Sequence, residues 1–424
     1  MTSEHAGDEP GRPWPVQTFV PFPTAPDLFF ARTAARSQAF SANDAAGGRP
    51  VLIGAAAGTD RAEVAVRARG ELAERVDNVL AGRQAEAGRR GSVAGSYDVL
   101  RRKGTPVLDP ATWPELRSAA HELRTAEMLW VPGTSLTHGH QTLVPACAVY
   151  LAHRPPPGCA APLHPGSTGL AAHHTRSQAG RHAALEVLER HLLWHAWYSN
   201  GPRTAYATGA EPTLSQPLRE TLTALGVLAT FVVLPGPAHT ACVVACLHAA
   251  DRTGQSFGAR ATHLTTTHHE TLPRAAADAA CHEALMVRWS LGTTAAHTAW
   301  RRLQATGDEP PYGPLEHALH TYHRQDSLAH LLTGSTPQTP NSPPGRHRPK
   351  TPGDELTHLA HTLADLTEND VVLVDTTRAT GHHGPGEAAA VVRLVAPGMH
   401  RLPADERTQR PPTDARTRLP HPLG

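Results

Sequence analysis

Acidic residues followed by an arginine recur at one spacing in two distant parts of the chain. The two triplets are Glu71, Glu74 and Arg75, and Glu186, Glu189 and Arg190. Each occupies helical positions i, i+3 and i+4, which lie on one face about 5–6 Å apart. A single acidic face is usually solvated surface, but a repeated one favours a site. Convergent carboxylates suit Mg²⁺, and arginines beside them suit phosphate oxygens.

Both triplets end a longer repeat. Residues 54–75 (GAAAGTDRAEVAVRARGELAER) align without a gap to residues 169–190 (GLAAHHTRSQAGRHAALEVLER), at a constant offset of 115. Each copy reads as a small-residue turn and then a helix, and VLIG at 51–54 predicts a strand leading into the first. The N-cap candidates Thr59 and Asp60 predict that the first helix begins there and runs to about Leu80. We expect two strand–helix units about a pseudo-twofold axis, with nucleotide and Mg²⁺ between them.

The rest of the chain alternates helices and strands, which predicts an α/β (α+β) fold. Residues 274–291 predict a third amphipathic helix, with Glu283 and Arg288 about 140° apart around its axis. These two side chains form no patch alone but could flank one ligand. The stretches 229–236 and 239–251 predict paired strands, and further strands are expected in VVLVD and AVVRLVAPG.

Composition excludes several classes of protein. With 39 basic and 38 acidic residues the net charge is +1, so no nucleic-acid surface is indicated. The start of the chain lacks the features of a signal peptide, and no apolar run approaches the ~20 residues that span a bilayer, so we expect a cytoplasmic protein without membrane contact. Five cysteines without a CxxC pair predict core thiols.

Two histidines on the second helix have the spacing of a two-histidine metal face. His191 and His195 are four residues apart, but no third ligand is placed by the sequence. Packing beside Trp194 and Trp197 is therefore the favoured interpretation. The chain also lacks GxxxxGK[ST], GxGxxG and GxSxG, so any ATP site is not built on a familiar nucleotide loop.

Composition divides the chain into segments. We expect residues 1–48 to form a loosely structured N-terminal segment whose one short strand is VQTFVPF. Beyond residue 48, length alone allows one large domain or two or three smaller ones, and residues 333–354 are expected to form a flexible Pro-rich loop. The Pro/Arg-rich tail 403–424 is expected to order only against a partner or the chain's own active site.

The second repeat and its surroundings, STGLAAHHTRSQAGRHAALEVLERHLLWHAWY, resemble the YcaO family of ATP-dependent peptide-modifying enzymes. The SagD-type cyclodehydratase branch is the nearer likeness. The resemblance extends through ELAER, WVPGTSLTHGHQTLVPACAVYL, the EALMVR helix and DLTENDVVLVD, and so covers about residues 50–402. It implies one α/β catalytic domain over residues 49–402, which holds ATP by glutamates through Mg²⁺.

The resemblance also assigns expected roles residue by residue. The matching ATP-motif positions are Glu71, Glu74 and Arg75, then Glu186, Glu189 and Arg190, then Glu283 and Arg288. The five glutamates are the expected catalytic and Mg²⁺ residues, and Arg75, Arg190, Arg288, His174 and Gln178 the expected nucleotide contacts. Four features depart from the family pattern: Gln178 replaces a glutamate, Ala68 and Ala183 each replace a serine, and the chain end keeps only Pro420-x-Pro422.

The family reaction is attack of a Cys, Ser or Thr side chain on the preceding backbone amide of a ribosomally made precursor peptide. ATP activates the amide oxygen, and the product is a thiazoline or oxazoline ring. Residues 1–48 are too short and too broken by prolines for a leader-peptide-binding domain, so we expect a separate leader-peptide-binding partner to deliver the substrate. Whether a dehydrogenase later aromatises the rings is left open, and a homodimer is the default assembly. Two alternatives stay open: a catalytically degenerate scaffold subunit, and an enzyme that forms a thioamide or amidine.

Overall fold

The computed structural model describes residues 14–42, 49–163, 166–206, 214–264, 272–307, 309–337, 351–378, 389–409 and 415–423. The strands are Val16–Phe19 (β1), Phe29–Arg36 (β2), Val51–Gly58 (β3), Val93–Ser96 (β4), Glu127–Ser135 (β5), Gln141–Pro145 (β6), Leu170–His173 (β7), Thr204–Tyr206 (β8), Leu228–Pro235 (β9), Thr240–His248 (β10), Ser256–His263 (β11), Thr336–Pro337 (β12), Val372–Asp375 (β13) and Ala390–Val395 (β14).

The α-helices lie between these strands and on their faces. They are Arg61–Glu86 (α1), Tyr97–Arg102 (α2), Ala120–Thr125 (α3), Ala146–Val149 (α4), Arg176–Tyr198 (α5), Gln216–Ala224 (α6), Arg274–Leu291 (α7), Thr294–Thr306 (α8), Gly313–Arg324 (α9), Ser327–Leu332 (α10) and Pro352–Thr367 (α11).

The described strands form three sheets. The first has the order β1-β2-β3, the second β11-β10-β9-β8-β12, and the third β4-β5-β13-β14-β7 with β6 on β5. In this arrangement β3, β7 and β11 each lie at the edge of a different sheet. An edge strand carries backbone amides that need partners from outside its own sheet.

Helices cover both faces of the sheet that contains β9 and β10. Along these strands, alternate residues such as Val232 and Val244 pack in the core around α5, whereas Val233 and Val243 pack in the core around α7. This alternation follows from the two-residue period of a strand, and it explains why both strands are apolar throughout. Cys242 and Cys246 are buried here, so the prediction of core thiols is confirmed for these two.

The main helices agree with the sequence predictions. Helix α1 begins after Asp60, whose side chain accepts hydrogen bonds from the Ala62 and Glu63 amides, and it continues past the expected end at Leu80 to Glu86. Helix α7 has the predicted bounds, and β9 and β10 pair antiparallel as expected. The described chain is a mixed α/β fold, as predicted.

The N-terminal segment is more ordered than expected. In the described residues 14–42, β1 and β2 pair antiparallel and join β3, and Phe19 and Phe30 pack on Trp289 of α7. The expectation of a loose segment with one short strand was therefore wrong for this part. Phe29–Arg36 provides the missing signal, because buried and exposed residues largely alternate along it.

Two other segments were expected to be irregular. Residues 338–350 of the predicted loop lie outside the described residues, and α11 begins inside the predicted range at Pro352. In the tail, the Trp197 indole donates a hydrogen bond to the Leu419 carbonyl, and the Arg416 amide donates to the Tyr198 carbonyl. The tail thus packs on the C-terminal end of α5. In the described chain, no helix combines the length and apolar character needed to cross a membrane.

Candidate active site

The three sheet edges formed by β3, β7 and β11 are capped by glutamates. Three of these glutamates each accept a hydrogen bond from the amide of the strand in their own strand–helix unit. Glu71 binds Ala55 at 2.6 Å, Glu186 binds Gly169 at 3.0 Å just before β7, and Glu283 binds Ala259 at 3.0 Å. The edge amides therefore fix the direction of these carboxylates.

Two further glutamates connect one unit to the next. Glu74 of α1 accepts a hydrogen bond from Ala172 of β7 at 2.9 Å, and Glu189 of α5 accepts one from Ala261 of β11 at 2.8 Å. The first two units thus use their glutamates in the same way, and α7 with β11 forms a third unit. The pseudo-twofold relation between the two copies stays a prediction.

Together these five residues, Glu71, Glu74, Glu186, Glu189 and Glu283, form what we call the glutamate cluster. Each carboxylate interacts electrostatically with the next one along the cluster, in the order Glu71, Glu74, Glu186, Glu189 and Glu283. Residues that are more than 200 positions apart in sequence therefore share one electrostatic environment. All five predicted carboxylates are brought together.

Burial and mutual repulsion disfavour the ionised forms in this cluster. Burial raises the pKa of Glu186 to about 7, with Glu189 adding to the effect. Burial and the neighbouring Glu186 and Glu71 carboxylates raise the pKa of Glu74 well above its ordinary range, and burial with Glu189 raises that of Glu283. A bound cation would favour the ionised forms and so bind with release of protons.

The three predicted arginines have different surroundings. Arg190 has the Glu189, Glu283 and Glu186 carboxylates as neighbours; burial lowers its pKa, but these charges more than offset that effect and leave it raised. Arg75 pairs with Glu71 at 2.5 Å and also donates to the Ile53 carbonyl. Arg288 instead donates to the Gly254 carbonyl at 2.6 Å and lies over the Tyr322 ring. In the described contacts it does not reach a glutamate.

Among the described contacts, three glutamates of the cluster each keep one carboxylate oxygen free of hydrogen bonds. Within the described residues, Glu74, Glu186 and Glu283 each use one oxygen on a backbone amide, and the other is neither hydrogen-bonded nor fully enclosed. No three of the five glutamates in that part of the chain bring oxygens within 4.8 Å of one another. This fits Mg²⁺, which is usually held by one or two carboxylates, waters and the phosphates of a nucleotide.

His174 and Gln178 lie at the N-terminal end of α5, apart from the cluster. Gln178 precedes Glu186 by eight residues, which is about 12 Å of helix rise. The Thr175 hydroxyl donates to the Gln178 side-chain oxygen at 3.0 Å and accepts from the Gln178 amide, as an N-cap. The His174 side chain is exposed. A nucleotide contact by these two residues stays a prediction.

Strand β11 and its arginine were missed by the sequence reasoning. Arg260 lies between Ala259 and Ala261, is exposed, and is an electrostatic neighbour of Glu283, Arg67 and His182. In the described structure its guanidinium has no hydrogen bond or ion pair. The polar turn before β11, with Gly254 at positive φ, was the available signal for a β10–β11 hairpin.

The packing role of small residues on α1, α5 and α7 also went unrecognised. Each helix carries alanine three residues before its first cluster glutamate, and Ala68, Ala183 and Ala280 are all 0% exposed. Strand β3 lies very close to α1, because a Cβ on Gly54 would collide with the backbone of α1. Strand β11 lies equally close to α7, because a Cβ on Gly258 would collide with the backbone of α7. Small residues therefore hold the edge strands near enough for the glutamates to reach their amides.

The histidine pair on α5 is packing, as the sequence favoured. The rings of His191 and His195 are 4.5 Å apart, and His400 stacks on Trp194 at 3.7 Å. Burial lowers the pKa of His191 to about 3, which keeps the ring neutral. In the described residues these histidines take part in no group of three close metal-ligand atoms.

Comparison with known proteins identifies the class. Residues 50–400 match the model of the YcaO family, described as YcaO cyclodehydratases that bind ATP and Mg²⁺. The chain belongs to the YcaO family. The match spans all three strand–helix units, and ATP and Mg²⁺ are the cofactors that the family description gives. The narrower SagD-type branch stays a prediction.

Individual relatives are distant. An uncharacterised protein of Methanothermobacter thermautotrophicus is 31% identical over 122 residues, which is 28% of this chain and 32% of that protein. A heterocyclase in complex with substrate and cofactor gives a TM-score of 0.64 at 15% identity, over 92% of this chain and 50% of that one. This chain therefore spans about half of that heterocyclase and a third of the archaeal protein.

Two further solved structures share the fold over most of their length. YcaO from Methanopyrus kandleri, bound with AMPPCP and Mg²⁺, gives a TM-score of 0.57 at 19% identity, over 93% of this chain and 90% of that chain. The E. coli microcin synthetase McbBCD complex with pro-MccB17 bound gives 0.55 at 14% identity, over 92% and 90%. At these identities the likeness shows a common fold.

Proposed function

We propose that the protein is an ATP-dependent cyclodehydratase that forms thiazoline or oxazoline rings in a ribosomal precursor peptide. The observation that carries this proposal is the glutamate cluster, in which carboxylates from α1, α5 and α7 are fixed by three sheet edges and keep free oxygens. Membership of a family of ATP- and Mg²⁺-binding cyclodehydratases supports the choice of nucleotide and reaction.

Within this proposal, the free oxygens of Glu74, Glu186 and Glu283 are the candidate Mg²⁺ ligands, and one or two of them would bind an ion directly. The bound Mg²⁺ would supply positive charge for the phosphates of ATP. Glu189 and Glu71 act beside them, with Arg190 and Arg75 balancing their charge. The unpaired guanidinium of Arg260, on the same strand as two of the capped amides, is suited to a phosphate oxygen. Backbone amides hold the carboxylates in place before any ligand arrives, and such preorganisation stabilises charge at little cost in reorganisation.

The proposed reaction balances without a further co-reactant. A Cys thiol or a Ser or Thr hydroxyl of the peptide attacks the preceding carbonyl carbon and loses its proton. The former amide oxygen takes the γ-phosphoryl group of ATP, and ADP is released. Phosphate then leaves with that oxygen, the nitrogen loses its proton, and a C=N bond completes the ring. The chain's residues contribute position and charge, which is what phosphoryl transfer demands.

Partners complete the proposal. The substrate is a precursor peptide, delivered by a separate leader-peptide-binding protein, and a dehydrogenase acts afterwards where the rings are aromatised. Support comes from the E. coli microcin synthetase, a fold relative solved as a complex with pro-MccB17 bound. A homodimer stays a prediction.

One observation favours the degenerate scaffold as a second candidate. Gln178 replaces a glutamate of the family pattern, and its side-chain oxygen already accepts a hydrogen bond from Thr175. A scaffold subunit would bind peptide or an active partner without Mg²⁺-dependent affinity for ATP. Calorimetric titration of ATP separates this candidate from the cyclodehydratase.

The test uses purified protein with its partner and precursor peptide. Each ring should remove the mass of one water and release one phosphate. Glu186→Gln and Glu189→Gln keep an acceptor for the Gly169 and Ala261 amides but lose the charge, and each should lower turnover at least about 100-fold. Glu122→Gln, an exposed change on α3, is the control. Unchanged turnover in both cluster variants would refute the assignment. A mass change that corresponds to replacement of an oxygen by a sulfur would indicate thioamide chemistry. An amidine also forms with loss of one water, so consumption of a Cys, Ser or Thr side chain separates ring formation from amidine formation.

A further inference from the structure

A second group of ligand-type side chains lies where the C-terminal tail meets α9. We propose that His317, Glu406 and His421 form a site for a divalent transition metal of the zinc class, which fastens the tail to the domain. These three residues are called the histidine cluster below. Their ligand atoms lie within 4.8 Å of one another, and the residues are 1%, 4% and 4% exposed.

Hydrogen bonds fix which nitrogen of each ring carries the proton. The Nδ1 of His317 lies 2.9 Å from the Gly313 carbonyl, and the Nε2 of His421 lies 2.8 Å from the Pro403 carbonyl. A carbonyl only accepts, so both of these nitrogens are donors. In the neutral rings, the Nε2 of His317 and the Nδ1 of His421 are therefore lone-pair acceptors. In the described residues neither makes a hydrogen bond of ordinary geometry, and the Leu423 backbone lies near the His421 ring.

Glu406 adds a third acceptor. Its Oε1 lies 3.4 Å from the Nε2 of His317, and it accepts hydrogen bonds from the Tyr198 hydroxyl at 2.9 Å and the His421 amide at 3.2 Å. The Nε2 of His317 and the Oε1 of Glu406 thus lie close together inside the protein, and a ligand atom of His421 lies within 4.8 Å of a ligand atom of each residue. Unpaired buried acceptors are costly, and a cation among them removes that cost.

A proton alone does not satisfy the group. Protonation of His317 would pair its Nε2 with Glu406 but would leave the Nδ1 of His421 without a partner. Protonation of both rings would place two positive charges face to face, because the rings stack with centroids 4.0 Å apart. One metal ion satisfies all three atoms at once.

The donor set indicates the kind of metal. Two imidazole nitrogens and a carboxylate suit zinc and its neighbours, whereas Mg²⁺ and Ca²⁺ prefer oxygen ligands. Zinc commonly takes three protein ligands and a water in tetrahedral geometry. Carbonyls that orient the ligand rings through their other nitrogen, as Gly313 and Pro403 do here, are a regular feature of such sites.

The proposed ion joins three separate parts of the chain. His317 lies on α9, Glu406 lies at the start of the tail, and His421 lies in the later part of the tail, which packs on the end of α5. His421 also has Arg190 of the active-site region as an electrostatic neighbour. Metal binding would therefore hold the tail beside the helix that carries Glu186 and Glu189.

The test measures zinc on the untagged full-length protein in excess Mg²⁺, which occupies hard oxygen sites. Equilibrium dialysis against Zn²⁺ followed by elemental analysis should give about one zinc per chain. His317→Ala and His421→Ala should each weaken zinc binding by more than about 100-fold. His323→Ala, an exposed histidine of the same helix that stacks on Trp300, should bind as the wild type does.

A second measurement needs no variant, in case the alanine variants do not fold. Hydrogen exchange on the wild type, with and without Zn²⁺, should show added protection confined to α9 and residues 403–423. Absence of stoichiometric zinc, or undiminished binding in folded His317→Ala and His421→Ala, would overturn the proposal. Protection confined to α1, α5 and α7 would also overturn it, because zinc would then be on the glutamate cluster. None of these readouts depends on ATP turnover.

Discussion

The glutamate cluster and the histidine cluster both bring ligand-type side chains together, but they do so in different ways. In the first, each carboxylate is held by a strand amide, and among the described residues no three oxygens lie within 4.8 Å of each other. In the second, three acceptor atoms already converge. The open arrangement is suited to a ligand that brings its own oxygens and leaves, and the convergent one to an ion that stays.

The first prediction concerns how the two repeat arginines, Arg190 and Arg75, balance the charge of the glutamate cluster. Arg190→Ala removes the cation that lies among Glu189, Glu283 and Glu186, and should lower the free energy of unfolding by about 3 kcal/mol. Arg75→Ala, at the equivalent position of the other repeat, breaks a pair whose side chains are 31% and 33% exposed and should cost less than about 1 kcal/mol. Denaturant unfolding measures both.

Added Mg²⁺ should restore part of the stability of the Arg190 variant, because the ion replaces the lost positive charge. Equal costs for the two arginine variants would contradict the claim that the cluster is one electrostatic unit.

The second prediction separates the two metals. With free zinc held a hundredfold above its dissociation constant, the histidine cluster should add about 2.7 kcal/mol to the free energy of unfolding. A zinc-selective chelator should remove that increment and leave Mg²⁺-dependent ATP affinity unchanged. Loss of ATP binding in a chelated protein that remains folded would mean that the two regions work as one site.

The third prediction tests how the sheet edge positions a glutamate. In Gly258→Ala the new Cβ would lie 2.7 Å from the Ala284 nitrogen and 2.8 Å from the Cβ of Glu283. The resulting shift of β11 from α7 should cost about 2 kcal/mol and weaken Mg²⁺-dependent ATP binding.

Gly70→Ala is the matched control for that change, since no atom lies within 4 Å of its added Cβ and the residue is inside α1. It should stabilise the protein by about 0.5–1 kcal/mol. Tolerance of alanine at Gly258 would show that the close contact does not hold Glu283 in place.

The contrast between the regions also shows what the sequence could reveal. The repeat predicted α1, α5 and their glutamates because the 3.6-residue period places i, i+3 and i+4 on one face. It could not reveal that Glu74 and Glu189 reach the next unit, because that depends on which strands become sheet edges. The histidine cluster was invisible for a similar reason: His317, Glu406 and His421 share no local spacing, and long-range packing alone brings them together.

The smallest expected effect is a pH dependence confined to the glutamate cluster. In the proposed site Mg²⁺ binds ionised Glu186, whose pKa burial raises to about 7 in the unliganded protein. Binding therefore releases a proton, so through Glu186 ATP affinity in Mg²⁺ should rise with pH by up to about tenfold per unit below pH 7. Glu74 and Glu283, whose pKa values are also raised, should add to this rise. Glu186→Gln should show a flatter profile. An affinity that falls as pH rises would contradict this assignment.

The same raised pKa has a consequence for the unliganded fold. Glu186 is protonated in the folded protein at pH values where it is ionised in the unfolded chain. Its contribution to stability is fully present below pH 4.5, its ordinary pKa, and is lost as pH rises through about 7. Saturating Mg²⁺ and ATP should reduce that loss, which thermal unfolding at pH 6 and pH 8 would show.

Calorimetric titration of ATP, with and without Mg²⁺, tests most directly whether glutamates from three sheet edges jointly hold the metal-bound nucleotide. The wild type and Glu122→Gln should bind ATP only when Mg²⁺ is present, and Glu74→Gln, Glu186→Gln and Glu283→Gln should each weaken that binding by about tenfold or more. Equal ATP affinity without Mg²⁺, or wild-type affinity in all three variants, would contradict the account.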